Sequence, residues 1–417
     1  MLKFSYELIT KDEVRGEIYL NTNPNPESNV VKFKKSGIVS VISFLLLLAA
    51  ISTTAFIVYL KSSGYDFSTM SVKDAVAFLK DKSNNKNTSS TEITFSQDGS
   101  VDCKLYADYT VILSQDSIKW YDRKGKLLQE NALTLARPVL RISEKYMVVA
   151  DISGRDIFFY KGKKQLWSKK LDNQIINLDV SDDGYCTVVT QSKEFKSAVQ
   201  VIDINGLDKY TKLCAEDIVI SAKSIHGGDD VFINKLTTDS VKTGTKLEFN
   251  NIYDEKPFAS VNIADTIIPL VFDQGENVVA VGQNIILYLD KQGKEVWRKT
   301  AESIFCVVPK IDKYIVVAGK FASEGGTVGQ QIVVLDKKGN TLYSFEQPEN
   351  IIGMDIHGSR LLLRTQRSVY LYSIKGKKLG QYSARNELKD AYLVGENEVV
   401  IVSGGSIETV KIDGSTT

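Results

Sequence analysis

The chain says one thing eight times. From about residue 91 onward, a glycine or a residue in its place closes the same unit at Gly125, Gly162, Gly206, Glu255, Gly293, Gly339, Gly376 and Gly414. The spacing averages about 41 residues, the period of a four-stranded propeller blade. Each unit reads as a strand, a polar turn, a second strand rich in Val, Ile and Leu, an alternating third strand, a Gly-containing turn and a fourth strand. Second strands such as TVILS (110–114), YMVVA (146–150), NVVAVG (277–282) and EVVIVS (398–403) are short and apolar. Such runs suit strands covered on both faces by neighbouring blades. The expected fold is all-β: an eight-bladed β-propeller, with seven blades as the alternative, of four-stranded antiparallel blades over 91–417.

The eighth unit lacks a fourth strand, because only Ser415, Thr416 and Thr417 follow Gly414. TEITFS (91–96) stands before the first unit with no other role. Pairing it onto the last blade closes the ring and removes its open edges.

Residues 36–60, SGIVSVISFLLLLAAISTTAFIVYL, contain no charge. As a helix rising about 1.5 Å per residue, this stretch crosses a hydrocarbon core of about 30 Å with some tilt. It is too long and begins too late for a cleaved signal peptide. Lys32, Lys34 and Lys35 precede it and Lys61 follows, so the positive-inside bias places residues 1–35 in the cytoplasm as a tail and the propeller outside the cell membrane. The expectation is a single-pass protein that contacts the lipid bilayer through residues 36–60. Within 61–90, Ser71 and Asp74 make a capping-box-like start, and Val72, Ala75, Val76 and Leu79 form one apolar helix face. SNNKNTSST (83–91) reads as a polar linker.

Composition narrows function. The formal net charge is +1, so no overall field argues for nucleic acid. Two His leave few imidazoles for metal binding or acid–base work. Cys103, Cys186, Cys214 and Cys306 are dispersed within apolar strands without a CxxC, and read as small buried hydrophobes.

The turns Asp290-Lys-Gln-Gly-Lys-Glu-Val-Trp297, Asp336-Lys-Lys-Gly-Asn-Thr-Leu342 and Lys161-Gly-Lys-Lys-Gln-Leu-Trp167 resemble the quinoprotein-type (PQQ-like) propeller repeat. The resemblance covers about 320 residues in degenerate copies, and implies a Trp docked between blades. Trp167 and Trp297 stand at that position; Trp120 lies on a third strand. The layout of one span and an outer propeller is also similar to single-pass proteins of Gram-positive bacteria grouped as a domain of unknown function. Quinoprotein dehydrogenases use a quinone cofactor, calcium and often adjacent Cys. Adjacent Cys are missing here and no Glu, Asn and Asp cluster suggests calcium, so the repeat reads as architecture and no cofactor is expected.

His226 (Ser-Ile-His-Gly-Gly-Asp-Asp) and His357 (Asp-Ile-His-Gly-Ser-Arg) invite a metal or catalytic reading. Aligned units place both at the turn between first and second strands, where others carry Ser181-Asp-Asp-Gly184 or Phe272-Asp-Gln-Gly275; turn residues are the better reading. No Gly-x-Ser-x-Gly elbow marks a hydrolase, and Glu324-Gly-Gly-Thr-Val-Gly329 reads as a hairpin loop.

Variation lies in the loops between second and third strands, longer in unit three (Gln191–Ser197), four (Lys235–Lys246) and six (Lys320–Gln331). They share a face with the blade-to-blade connections, including Asn131–Pro138 and Ala384–Lys389. Long loops on a rigid scaffold are where binding resides. The candidate binding face is Arg137, Lys193, Phe195, Lys196, Lys242, Lys320, Phe321 and Arg385, basic with two exposed aromatics. The expected function is a non-catalytic scaffold for an envelope or membrane protein, or an envelope polymer. The alternatives are a quinoprotein-like oxidoreductase or hydrolase working in the channel, and a transmembrane sensor.

Overall fold

The computed structural model describes residues 44–55, 88–95, 101–192, 194–239, 242–310, 313–322, 328–347 and 349–412. The chain divides into two units, Met1–Tyr59 and Leu60–Thr417.

In the first unit, 44–55 form a helix. Phe44, Leu45, Leu46, Leu47, Leu48 and Ile51 are all exposed on it. The Ser52, Thr53 and Thr54 hydroxyls donate back to the carbonyls of Leu48, Ala49 and Ala50, which satisfies their polar groups within the helix. Among the described residues no helix is long and apolar enough to cross a membrane. The remainder of 36–60, the tail and the capped stretch at 71–79 lie outside the described residues.

The second unit is an eight-bladed propeller of four-stranded antiparallel sheets. Blades one to seven each use four consecutive strands. Blade eight takes Leu388–Leu393, Glu398–Ser403 and Ser406–Lys411, and its outermost strand is Thr88–Thr94 from the start of the domain. The expected closure is present, in the register Thr88↔Lys411 to Thr94↔Ser406. It begins three residues earlier than TEITFS, so Thr88–Thr91 are strand rather than linker.

The core lies between blades. Buried apolar side chains form eight clusters, each built from two neighbouring blades. Phe159 and Ile175 meet across blades two and three, and Val399 and Leu362 across eight and seven. The second strands supply both faces to this packing, which is why TVIL and VVA runs occur where a one-faced sheet would alternate.

The repeated Asp-x-x-Gly turn has a local cause. Asp290 Oδ1 accepts the N–H groups of Gln292 and Lys294, and Gly293 N–H donates to the Asp290 carbonyl. Asp122, Asp203 and Asp336 do the same. Glycine is needed because the turn puts φ at +81° for Gly206 and Gly339, and because the neighbouring blade's ring lies against it. A Cβ on Gly339 would stand 2.9 Å from Trp297, and one on Gly206 3.2 Å from Trp167. The two Trp thus dock between blades; Trp297 Nε1 also donates to the Lys337 carbonyl at 2.9 Å. Phe345 takes the same place against Gly376.

Candidate functional site

The innermost strands stand beside one another around the axis: Asp102–Tyr106, Pro138–Ile142, Gln174–Val180, Ile218–Ile225, Leu270–Gln274, Ser303–Lys310, Gly353–His357 and Leu388–Leu393. Their charged side chains are largely paired. Lys223 lies 3.2 Å from Asp179 and 3.8 Å from Asp273. Burial opposes the Lys223 charge, but Asp179 and Asp273 outweigh it and hold its pKa above the ordinary value. Burial pushes the Asp273 carboxyl up against the pull of Lys223. Lys104 reaches Asp390 at 3.4 Å and the Tyr392 hydroxyl at 3.1 Å, and Tyr392 donates to Asp390 at 2.6 Å. Asp355, also raised by burial, accepts the N–H groups of Ile356 and Leu393. These contacts tie one blade to the next. Among the described residues no three His, Cys, Asp or Glu are disposed to hold one metal ion.

The His pair separates as aligned. His226 opens the turn between the first two strands of blade four and His357 ends the first strand of blade seven. His226 Nδ1 faces Asp230 at 2.7 Å and Nε2 faces the Glu276 carbonyl at 2.9 Å. With both ring nitrogens against oxygens, neither is open to take a proton from a nucleophile. Cys103, Cys186 and Cys214 are buried and Cys306 is half-buried; all four are free thiols, and burial raises the pKa of each.

The outer faces differ from each other. On one lie the turns after first and third strands, joined for instance by Arg123–Asp108 at 2.7 Å and Lys291–Glu276 at 3.1 Å. On the other, turns between second and third strands bond to the blade-to-blade connections. In blades one, five and seven this uses backbone: Leu135 N–H to the Gln115 carbonyl, Ile304 to Gln283, Leu388 to Gln366. In blades three, four and six side chains contribute. Lys196 donates to the Glu216 carbonyl at 2.7 Å, Thr245 to Thr266 at 2.8 Å, and Gln330 to Gln347 at 3.3 Å.

Two of the three expected long loops are extended ribbons. Blade four pairs Asp230–Asp239 with Lys242–Asn251 without a break, and blade six pairs Tyr314–Ala322 with Val328–Asp336. Blade five between them has Asn277–Val281 and Ile285–Leu289. The ribbons run four or five residues further, about 13–17 Å at 3.3 Å per residue. A notch of about 740 Å³ opens at blade five, lined by Thr243 of the blade-four ribbon, the connections on either side of blade five and the first strand of blade six. Thr245 Oγ1 fixes one side, donating to Thr266 and accepting from Ile268 N–H. Glu302 N–H fixes the other on the Lys320 carbonyl at 2.9 Å. Ile267, Leu270 and Phe305 line the notch with 48, 47 and 40 % of their surface exposed.

The sequence candidates that the structure describes come from different blades and do not converge. Arg137 and Arg385 are exposed on the connections after blades one and seven. Exposed Lys196 and half-buried Phe195 sit on blade three. Lys193 lies outside the described residues; Lys242 begins the third strand of blade four, and only its backbone is described. Lys320 is half-buried on blade six. Phe321 corrects the expectation of an exposed aromatic. It is 8 % exposed, packed with Val281 and Ile286 in the cluster between blades five and six.

The notch residues went unnoticed in sequence. A signal existed: Ile304-Phe305-Cys306 breaks the alternation, and the ladder shifts there by one residue. Ile175-Ile176-Asn177 does the same in blade three. Such a bulge turns a side chain away from the core. A second unnoticed group is Glu248, 4 % exposed, ringed by Lys235 at 2.8 Å, Lys246 at 2.8 Å and Lys212 at 3.5 Å.

Solved structures with this fold are distant in sequence. The computationally designed Ika8 protein superposes with a TM-score of 0.56 at 14% identity, over 78% of this chain and 99% of its own. The C-terminal WD40 domain of Sif2 gives 0.55 at 9%, over 79% and 99%. Chaetomium thermophilum Sqt1, bound to the N-terminus of the ribosomal protein L10, gives 0.54 at 10%, over 78% and 100%. These likenesses concern the fold. No curated protein matches the sequence. A family model does match, over residues 80–412, from just ahead of the closing strand to the last strand of the ring, and the chain belongs to that family, DUF5711, a family of unknown function.

Proposed function

We propose that this chain is a scaffold that holds a protein partner on the ribbon-bearing face of its propeller, anchored to a membrane by residues 36–60 with the propeller outside the cytoplasm. The observation that carries the reading is the asymmetry of the two faces. Ribbons rise on one face over blades four and six. The closing strand starts at Thr88, opposite Lys411 and next to the turn that Ile412 bonds to at Asn397, so both ends of the ring leave on the other face. A tethered ring of this kind leaves its ribbon face open to a partner.

The anchor reading is supported by the uncharged 36–60 stretch and by the back-bonded hydroxyls of the 44–55 helix, which suit a medium without water. The Sqt1 structure, a chain of this fold bound to the N-terminus of another protein, supports the kind of partner proposed. The channel charges act as ties between blades, and the function assigned here needs no catalysis.

Two measurements test this. Cysteine-accessibility labelling of the tail at Ser28 and of the exposed turn residue Asp183 should label only Asp183→Cys from outside intact cells; the reverse pattern would invert the topology. A photo-crosslinker at Arg385 or Phe195 should trap a membrane or envelope protein in cells, while one at Asp183 should not. Equal adducts from both faces, or none, would sink the scaffold reading.

A further inference from the structure

The face on which both ends of the ring leave is divided by charge. Blades seven, eight, one and two are neighbours around the ring, and their turns between third and fourth strands are basic. Blade seven carries Lys375, Lys377 and Lys378 in 373–378, and blade two Lys161, Lys163 and Lys164 in 161–164, neither with an acid. Blade one carries Arg123, Lys124 and Lys126 against Asp122, whose Oδ1 is turned onto the N–H groups of Lys124 and Lys126. Lys411 ends the third strand of blade eight. Lys124, Lys126, Lys164, Lys375, Lys377 and Lys411 are exposed and make no ion pair among the described residues. Lys161 and Lys163 stand over the rings of Tyr146 and Tyr109, contacts that leave the cation's charge uncancelled. The acids on the inner turns of these blades are fewer. Asp108 and Glu396 are paired with Arg123 and Arg360 at 2.7 Å. Exposed Glu144 has Lys145 next to it in sequence, and Glu398 lies opposite Lys411 in the ladder. Asp413, outside the described residues, adds one more. Across the ring the same face is acidic: Asp183, Asp229, Asp254 and Glu255 are exposed on blades three and four against Lys209 and Lys256, and Lys209 is 3.7 Å from Asp203.

We infer that the basic arc of blades seven, eight, one and two is a docking surface for the anionic lipid headgroups of the membrane that holds residues 36–60, so that the ring leans on the bilayer with its blade-eight side. The place of the chain end selects this occupant. Thr88, the first residue of the closing strand, lies opposite Lys411 in the middle of the arc, and the chain that follows the span enters the ring there. Residues 61–87 reach at most about 90–100 Å when fully extended. They keep the arc near the bilayer without setting its orientation, and a weak attraction between tethered surfaces is then enough to set it. Lysines close to an anionic leaflet supply that attraction, which fades within a Debye length. The connecting segment does not neutralise the arc itself, because it carries Lys61, Lys73, Lys80, Lys82 and Lys86 against Asp66, Asp74 and Asp81. The acidic half of the face, on blades three and four, is repelled by the same headgroups, so the contact is one-sided. The ribbon face stays clear of the bilayer and open to a partner.

This inference rests on the anchor reading of 36–60 and adds an orientation to it. The test reconstitutes the full chain in nanodiscs of phosphatidylcholine, alone or mixed with phosphatidylglycerol, each with an acceptor dye on a fraction of the headgroups. A donor dye is placed at Leu127→Cys beside the blade-one turn or at Asp183→Cys on blade three, both exposed positions. Wild type carried through the same labelling is the blank for the native thiols. In anionic discs, energy transfer from Leu127→Cys should be at least twice that from Asp183→Cys, and the excess should vanish in neutral discs or in high salt. Adding Lys124→Glu, Lys126→Glu, Lys375→Glu and Lys377→Glu to the Leu127→Cys chain should abolish the excess. Adding Lys209→Glu and Lys256→Glu should leave it. All six lysines are exposed, so these chains should melt as their parent does. Equal transfer in both lipids, or an excess that survives the fourfold reversal, would overturn the arc. Co-elution with neutral discs reports the anchor separately. A chain that enters neutral discs but shows no response to lipid charge keeps the anchor and overturns the arc. A chain that binds only anionic discs, and loses them on the fourfold reversal, keeps the arc and overturns the anchor.

Discussion

The ring and the ribbons above it use the same local grammar to opposite ends. In the ring, Val278, Val279 and Ala280 of blade five are at most 1 % exposed, shared between two inter-blade clusters. Above it, the blade-four ribbon continues the same ladder through Thr237↔Gly244, Thr238↔Thr243 and Asp239↔Lys242. There the sequence is Thr, Asp, Lys and Gly, and no third strand covers it. Burial holds the first region. The second is held by its own hydrogen bonds and by pins such as Thr245 to Thr266. The ring should therefore carry the stability and the ribbons the recognition, because isolated two-stranded hairpins add little stability in water.

The largest expected effect breaks the ring. Deleting 88–94 strips blade eight of its outermost strand and exposes the edge of Ser406–Lys411. The loss should be on the order of the whole stability of a domain, 5–15 kcal/mol, seen as loss of the cooperative transition in thermal or urea unfolding. A variant that melts like wild type would show that the ring does not depend on closure.

Next comes the buried charge group between blades three and four. Glu248 at 4 % and Lys235 at 5 % exposure are enclosed, with Lys212 and Lys246 also on the carboxylate. Glu248→Gln leaves three ammonium groups around a neutral amide and should cost about 3–5 kcal/mol, measured by urea unfolding at pH 7. The same residue gives a pH signature. Burial raises the Glu248 pKa, but hydrogen bonds from Lys235 and Lys246 outweigh it, leaving it below its ordinary value of 4.5. Its stabilisation is present above the unfolded-state value and is lost as pH falls below about 4.5 through the lower folded value. Unfolding measured from pH 6 down to 3 should show a smaller decline in Glu248→Gln than in wild type; parallel curves would remove Glu248 from the account.

A smaller loss is expected where the repeat turn meets its neighbour. Gly339→Ala puts a Cβ at φ +81° and 2.9 Å from Trp297, at a cost of about 1–3 kcal/mol. Calorimetry should show a lowered Tm with cooperativity kept.

The smallest stability effect should come from the ribbons. Replacing 237–244 by Asn-Gly, with Thr245 kept, should change unfolding free energy by less than about 1 kcal/mol, measured by urea unfolding. A large loss of stability would make the ribbon part of the ring and dissolve the contrast.

Much of this was legible in the residues. The Asp-x-x-Gly turn appears in sequence because one side chain and one φ do the work locally, as Asp290 and Gly293 show. Trp167 and Trp297 were placed correctly because the repeat aligns them. Lys235–Lys246 and Lys320–Gln331 resemble loops in sequence because their Thr, Lys, Gly and Gln carry no strand-like alternation. Their pairing follows from ladders already started in the ring. A place beside a loop suggests an exposed Phe321, but proximity in sequence does not reveal which blade packs against it. Glu248 and its three lysines come from two blades, Lys212 from the outermost strand of blade three, and no single repeat unit displays them together.

The sequence by itself determined the four-stranded repeat, the strand order within blades and the closing strand, and favoured eight blades over seven, because periodic turns and short apolar runs are local signals repeated at a fixed interval. The tertiary structure alone decided which blades rise above the ring, which aromatics are covered and where a notch lined by three exposed apolar side chains opens. Those features depend on the height and contacts of neighbouring blades, and a repeat read one unit at a time carries no information about its neighbour's height.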